Sequence, residues 1–296
     1  YIQTKDIFLQ NLKSYIFLLS NEGINNMSKI DKKNRFYYDS NFLGSTEGRS
    51  LRILSEYYGP LQKLERNNVS ETIVFFGSAR ISSEGEAKEA LENHSDESDF
   101  QTIAKLKMDL KMSRYYEEAR SLANKFTSWS KNLKDTKHRY IICSGGGPGI
   151  MEAANRGASE ANGINVGLTI SLPFESSENE WILDDLNLKF HYFFMRKFWF
   201  LYLAKGLIVW PGGFGTLDEL MELLTLIQTR KIKKPLPIVL YGKEFWENVV
   251  NWDYLVEVGT ISPEDLDLFH ISDDVNDTFD YVTNFIESNQ LKGPNF

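Results

Sequence analysis

The 296-residue sequence is 42% hydrophobic and 25% charged, the ordinary mix of a globular chain able to bury a core. Its net charge of −8 provides no field to gather nucleic acid, so any phosphate it binds must be held by local geometry. One cysteine, Cys143, excludes an internal disulfide and fits a reducing compartment, and four scattered histidines (His94, His138, His191, His270) assemble no zinc-type cluster.

Residues 1–26 read as a poorly specified leader whose apolar patch, Tyr15 to Leu19, is too short for a span; Met27 follows it as a candidate start. Apolar spacing at Leu51, Leu54 and Tyr58 predicts a helix, so residues 1–66 are expected to be a leader and helical extension and 67–296 the main domain. Thr72 to Phe76 is a β-rich run stopped by Gly77. Residues 83–112 are acidic and read as a solvated loop or a helical insertion, and 113–131 has helical spacing. Strand 139–144 enters the glycine cluster 145–149, followed by a helical stretch, and strand 164–170 leads to a loop with Pro173. Residues 192–210 approach the length of a membrane helix, but Arg196, Lys197 and Lys205 would each cost roughly 2.5–3.5 kcal/mol at a bilayer centre. A buried helix, 192–205, followed by a core strand, 206–210, fits better. Helix 217–230, strand 235–241, helix 244–257 and a last helix near 275–288 complete the chain.

Apolar strands alternating with helices predict an α/β fold with a doubly wound parallel sheet and ligands beyond the carboxyl ends of the strands. Three glycine-bearing turns fall there: Gly77-Ser78, Gly145 to Gly149, and Gly212 to Gly215. The first is also what a plain tight turn looks like. The second lacks the dinucleotide spacing, since Ile150 stands where a glycine would be needed, and no P-loop motif occurs. The third, Pro211-Gly212-Gly213-Phe214-Gly215-Thr216, opens a helix, where free amides favour an anion. Thr216 and Glu219 also have the spacing of a capping box, which needs no ligand. Arg196-Lys197 can be read as a snorkelling surface pair, and Glu222 as part of a solvated helix face.

PGGFGTLDE (211–219) matches the PGGxGTxxE pattern of the LOG-type phosphoribohydrolases, also labelled lysine decarboxylase-like proteins. FFMRK (193–197) is similar to that family's MHxRK signature, with Phe193 and Phe194 in place of Met and His; FFGSAR and SGGGPGIMEAANRGA resemble its two other glycine turns. The resemblance covers about residues 70–296 and implies a Rossmann-like, cytoplasmic homodimer or larger oligomer. It implies cleavage of the N-glycosidic bond of AMP or a cytokinin riboside 5′-monophosphate, with no metal, no other cofactor, no nucleic acid and no membrane involved. By the same resemblance Arg196 and Glu219 are the catalytic pair. Lys197, Gly212, Gly213, Gly215 and Thr216 contact phosphate and ribose, and Gly77, Ser78, Gly145, Gly146 and Gly147 belong to the substrate-binding turns. The chemistry is coherent, because a carboxylate stabilises the oxocarbenium-like charge that builds on the ribose as the bond breaks. Two alternatives stay open: a non-catalytic nucleotide-binding or carrier protein, and a pyridoxal-phosphate decarboxylase, which needs a Schiff-base lysine the sequence does not mark.

Overall fold

The computed structural model describes residues 35–94, 100–133, 139–170 and 179–296. Tyr15 to Leu19, Met27, His138 and Pro173 lie outside these residues. The chain divides into two compact units, one up to Tyr58 and one from Gly59 on. In the first, Asp39 caps a short helix, α1 (Ser40–Gly44), accepting from the Asn41 and Phe42 amides. The expected helix around 47–58 is found as α2 (Arg49–Arg66).

The second unit is built on seven parallel strands in the order β4-β3-β2-β1-β5-β6-β7. They are β1 (Thr72–Phe76), β2 (Ile141–Ser144), β3 (Val166–Ile170), β4 (Asn187–Phe190), β5 (Ala204–Val209), β6 (Ile238–Tyr241) and β7 (His270–Ser272). The chain adds strands outward from β1 to one edge, returns to β1 on its other side, and adds β5 to β7 in the opposite direction. This is the doubly wound parallel sheet expected from the alternation. Every residue of β1, β2, β5 and β6 is buried, as strands covered by helices on both faces must be.

Most helices fall near their expected positions, and the differences have physical causes. The acidic stretch 83–112 is helical where described: α3 (Glu84–Glu92) carries a true capping box between Ser83 and Glu86, and the 33-residue α4 (Phe100–Asn132) begins inside the stretch. After α5 (Ile150–Glu160), helix α6 (Phe193–Tyr202) ends three residues earlier than expected and β5 begins at Ala204. Lys205 therefore lies in the strand, fully buried, with its Nζ donating to Asn295 Oδ1 (2.8 Å) and the Ala204 carbonyl (2.9 Å). Burial, reinforced by Lys234 and opposed by Glu71, pushes the Lys205 ammonium down to about 8. Helix α7 (Phe214–Gln228) starts inside the third glycine turn. The single helix expected over 244–257 is two, α8 (Lys243–Val249) and α9 (Trp252–Glu257), because Asn251 caps the second by accepting from Tyr254 N at 3.0 Å. The last helix, α10, spans Val275–Asn289.

Aromatic residues dominate the centre: Phe75 meets Phe126 edge-on and stacks near Trp210, which packs on Tyr241 at 4.0 Å between ring centroids. On the same face α4 and α5 meet closely at Gly157, where an added Cβ would lie 2.0 Å from the Arg120 carbonyl oxygen. Backbone cannot yield as a side chain tip can. Gly157→Ala is therefore expected to destabilise the protein by roughly 1–3 kcal/mol, seen as a lower urea midpoint at unchanged slope; a parental midpoint would show that the two helices have room to separate.

Candidate active site

The three glycine turns end β2, β1 and β5, which are neighbours at the middle of the sheet. The point where strand order reverses, between β1 and β5, is where such sheets open a crevice. The turns also hold one another. Ser78 N donates to the Pro211 carbonyl and Ile150 N to the Ser78 carbonyl, each at 3.0 Å. Gly149, at φ +70°, lies so close that a Cβ would meet Ser78 O at 2.3 Å, and a Cβ on Gly77 would meet Ile150 Cγ2 at 2.5 Å.

A cleft of about 90 Å³ opens at this point, lined by Gly77, Gly145, Arg196, Gly215, Thr216 and Glu219 together with Phe76, Met151, Phe193 and Asp218. The structure thus brings Arg196, Glu219, Gly77, Gly145, Gly215 and Thr216 onto one cavity. Gly146 and Gly147 are buried behind it, while Ser78, Lys197, Gly212 and Gly213 are not among its walls. Gly145 makes room for the arginine, since a Cβ there would lie 2.6 Å from Arg196 Nη2. The Arg196 guanidinium also lies over the Phe200 ring at 5.2 Å, within the range of a cation–π contact.

Thr216 is not a helix cap. The N-cap of α7 is Gly213, with no side-chain cap, so Thr216 is the third helical residue and Glu219 the sixth. Thr216 Oγ1 instead packs against the Gly212 backbone, 2.1 Å from where a Cβ would stand. The capping-box alternative for this pair is overturned, and Gly213, Phe214 and Gly215 are exposed at the positive end of α7.

Glu219 carries the strongest electrostatic signal in the cleft. Burial pushes its carboxyl up to about 7; Lys197 and Arg196 oppose the shift, and Glu222 and Asp218 add to it. A carboxyl poised near neutrality suits proton transfer or switchable charge. Lys197 is occupied: its Nζ is 2.8 Å from Asp218 Oδ2 and 2.6 Å from Glu222 Oε2. Glu222 is thus an ion-pair partner rather than part of a merely solvated face. Cys143 in β2 is buried, and burial pushes its thiol up, so it supplies no ready nucleophile.

A buried amide network behind the second turn carries no motif in the sequence. Ser144 Oγ donates to Asn155 Oδ1 (2.5 Å) and accepts from Gly146 N (3.0 Å). Asn179 Nδ2 also donates to Asn155 Oδ1 (3.1 Å), and Asn155 Nδ2 to Asn165 Oδ1 (2.8 Å). Among the described residues, no group of three His, Cys, Asp or Glu side chains could hold a metal ion, and no helix is long and apolar enough to cross a membrane. His94 lies against the Ala90 carbonyl and His270 against Asp277, both away from the cleft.

Residues 151–282 match the family described as "Possible lysine decarboxylase", the grouping to which LOG-type proteins belong. The chain is also 31% identical over 115 residues to the pyrimidine/purine nucleotide 5′-monophosphate nucleosidase of Escherichia coli K12, and equally to that of E. coli O157:H7. The match covers 34% of this chain and 24% of each relative, so the aligned part is about a quarter of the relatives' length. Among solved structures, the molybdenum cofactor carrier protein of Chlamydomonas reinhardtii is similar at 15% identity and a TM-score of 0.38, over 73% of this chain and 98% of that one. A structural-genomics target, TM1055, is similar at 17% and 0.42, over 74% and 99%.

The high proton affinity of Glu219 has a thermodynamic consequence. Between its ordinary value of 4.5 and about 7, the folded protein holds a proton that the unfolded chain releases. Stability is therefore lost as pH rises through that window and stays reduced above it. Glu219→Gln removes this loss. Its melting temperature is expected to gain on the parent's progressively from about pH 5 to about pH 8; a constant difference across that range would contradict the burial of the charge.

Proposed function

We propose that the protein hydrolyses the N-glycosidic bond of a nucleoside 5′-monophosphate, releasing the base and ribose 5-phosphate. The observation that carries this reading is the meeting of Glu219 and Arg196 on one small cleft at the switch point, with Glu219 titrating near neutrality. The family match and the partial similarity to a nucleotide nucleosidase support it.

In this reading the exposed first turn of α7 receives the phosphate through its amides, with no competing side-chain cap. The closed part of the cleft, far below the roughly 300–1,000 Å³ of a pocket for a whole drug-sized ligand, surrounds the ribose at C1′. Glu219, as the carboxylate, stabilises the positive charge growing there or takes a proton from the attacking water. Arg196 orients the ligand through its planar set of donors.

The family's descriptive label raises pyridoxal phosphate as a cofactor, and neither Lys197 nor Lys205 fits it. Lys197 is committed to two carboxylates. Lys205 is enclosed at the start of β5, at the opposite end of the strand from the cleft, and is bonded to Asn295.

Two outcomes are expected of kinetics with the pure protein. AMP is cleaved and adenosine hardly at all, because binding energy from the phosphate is used at C1′. Glu219→Gln lowers kcat for AMP by roughly 10²-fold or more while AMP still binds. A parental kcat in that variant removes Glu219 from catalysis, and AMP binding without any release of adenine in the parent would favour a carrier.

The reading also includes self-association. Phe193 and Phe194 are about half exposed and Phe214 is 93% exposed, an apolar surface by the cleft suited to a second copy of the chain. Light scattering should find a dimer or larger species; a fully active monomer would refute this part.

A further inference from the structure

Lys197 stands on α6 and crosses to α7, where Asp218 and Glu222, four residues apart on one helix face, hold its Nζ at 2.8 and 2.6 Å. Its side chain is 15% exposed, far less than either carboxylate. Glu219 lies between those two acids in sequence. The charged groups that act on it are Lys197 and Arg196 from α6, and Asp218 and Glu222 from α7. The Lys197 ammonium has three donors and carboxylates hold two of them, so a phosphate reaching the third would come up against Asp218 and Glu222. Two carboxylates beside an incoming dianion are a repulsive arrangement in a partly buried site. The exposed amides at the start of α7 offer the anion a place without that conflict.

We propose that Lys197 is a positioning residue which, pinned between Asp218 and Glu222, maintains the charged form of Glu219 and does not grip the phosphate of the substrate. This departs from the role that the family resemblance gives to Lys197. The inference rests on the hydrolase reading only in its kinetic arm. Burial favours the neutral acid at Glu219, and Lys197 is the first of the two cations that oppose it. Although burial works against its own charge, the bonds to Asp218 and Glu222 hold the Lys197 ammonium above its usual range, so the cation persists wherever the enzyme would work.

The experiment compares the full chain with Lys197→Met, Lys197→Arg and Asp218→Asn. The Glu219 carboxyl is followed by carbon-13 NMR of glutamate-labelled protein, its signal identified by loss in Glu219→Gln; kcat and KM for AMP are measured across pH on the same preparations. Removing the cation in Lys197→Met should raise the Glu219 midpoint by about one pH unit and carry the acid limb of kcat with it, with KM changed by no more than about twofold. Lys197→Arg should keep the parental midpoint. Asp218→Asn, at an exposed position that does not threaten folding, should lower it. A midpoint that does not move in Lys197→Met or Asp218→Asn overturns the inference. So does a rise in KM of about tenfold or more with the acid limb unmoved, since that marks a phosphate ligand. A shifted midpoint in a protein that never releases adenine sustains the role of Lys197 and discards the hydrolase reading instead.

Discussion

The parallel pairing of β1 with both β2 and β5 is the constraint on which the rest depends. Thr72 to Phe75 are paired with both neighbours and Phe76 with β5, and all five residues are buried, so the strand is apolar throughout from Ile73 to Phe76. Because all three strands point the same way, their ends deliver three turns to one place. The chain must also leave β1 toward one edge of the sheet and come back to its other side, so a crevice forms between the first turn and the third. Glycine at those ends then serves two purposes. Gly77 and Gly149 let the turns lock together, and Gly145 leaves the space that Arg196 occupies.

The site is assembled from two helices that arrive from different strands. α6 follows β4 and α7 follows β5, so both helices begin at the carboxyl ends of the strands, where Arg196 and Lys197 face Asp218, Glu219 and Glu222. Two cations meet three acids there, and burial raises one of these, Glu219, toward its neutral form. Concentrating them in a partly dry cleft costs stability, the recurrent feature of sites shaped for chemistry rather than for folding. The apolar and amide packing beneath them has to carry that cost.

Much of this was legible in the sequence, and the failures are physical. β1 was read to the residue because five β-forming side chains run without interruption into a glycine. β4 and β7 were missed because four and three residues, including Asn187, Lys189 and His270, make too little pattern to register as strands. α7 begins three residues before the sequence reading puts it, since Gly213 and Gly215 read as turn whereas Gly213 is the N-cap and Gly215 already lies in the helix. Thr216 and Glu219 had the spacing of a cap without being one, as spacing says nothing about where the helix begins. The motif residues found their cleft, but the engagement of Lys197 could not be seen. Its partners lie on another helix more than twenty positions away, and only tertiary packing brings them to it.

The amide network around Asn155 gives the cleft a mechanical neighbour. One oxygen, Asn155 Oδ1, accepts from both Ser144, which supports the Gly146 amide, and Asn179, which also reaches the Gly147 carbonyl at 3.5 Å. Asn155 also donates through Nδ2 to Asn165, so it is a link in a buried chain of the kind whose members polarise one another. Asn179 is therefore tied to the second turn by two routes, directly at Gly147 and through Asn155 and Ser144. The backbone beside Arg196 is thus braced from beneath by an asparagine wholly shut off from the cleft.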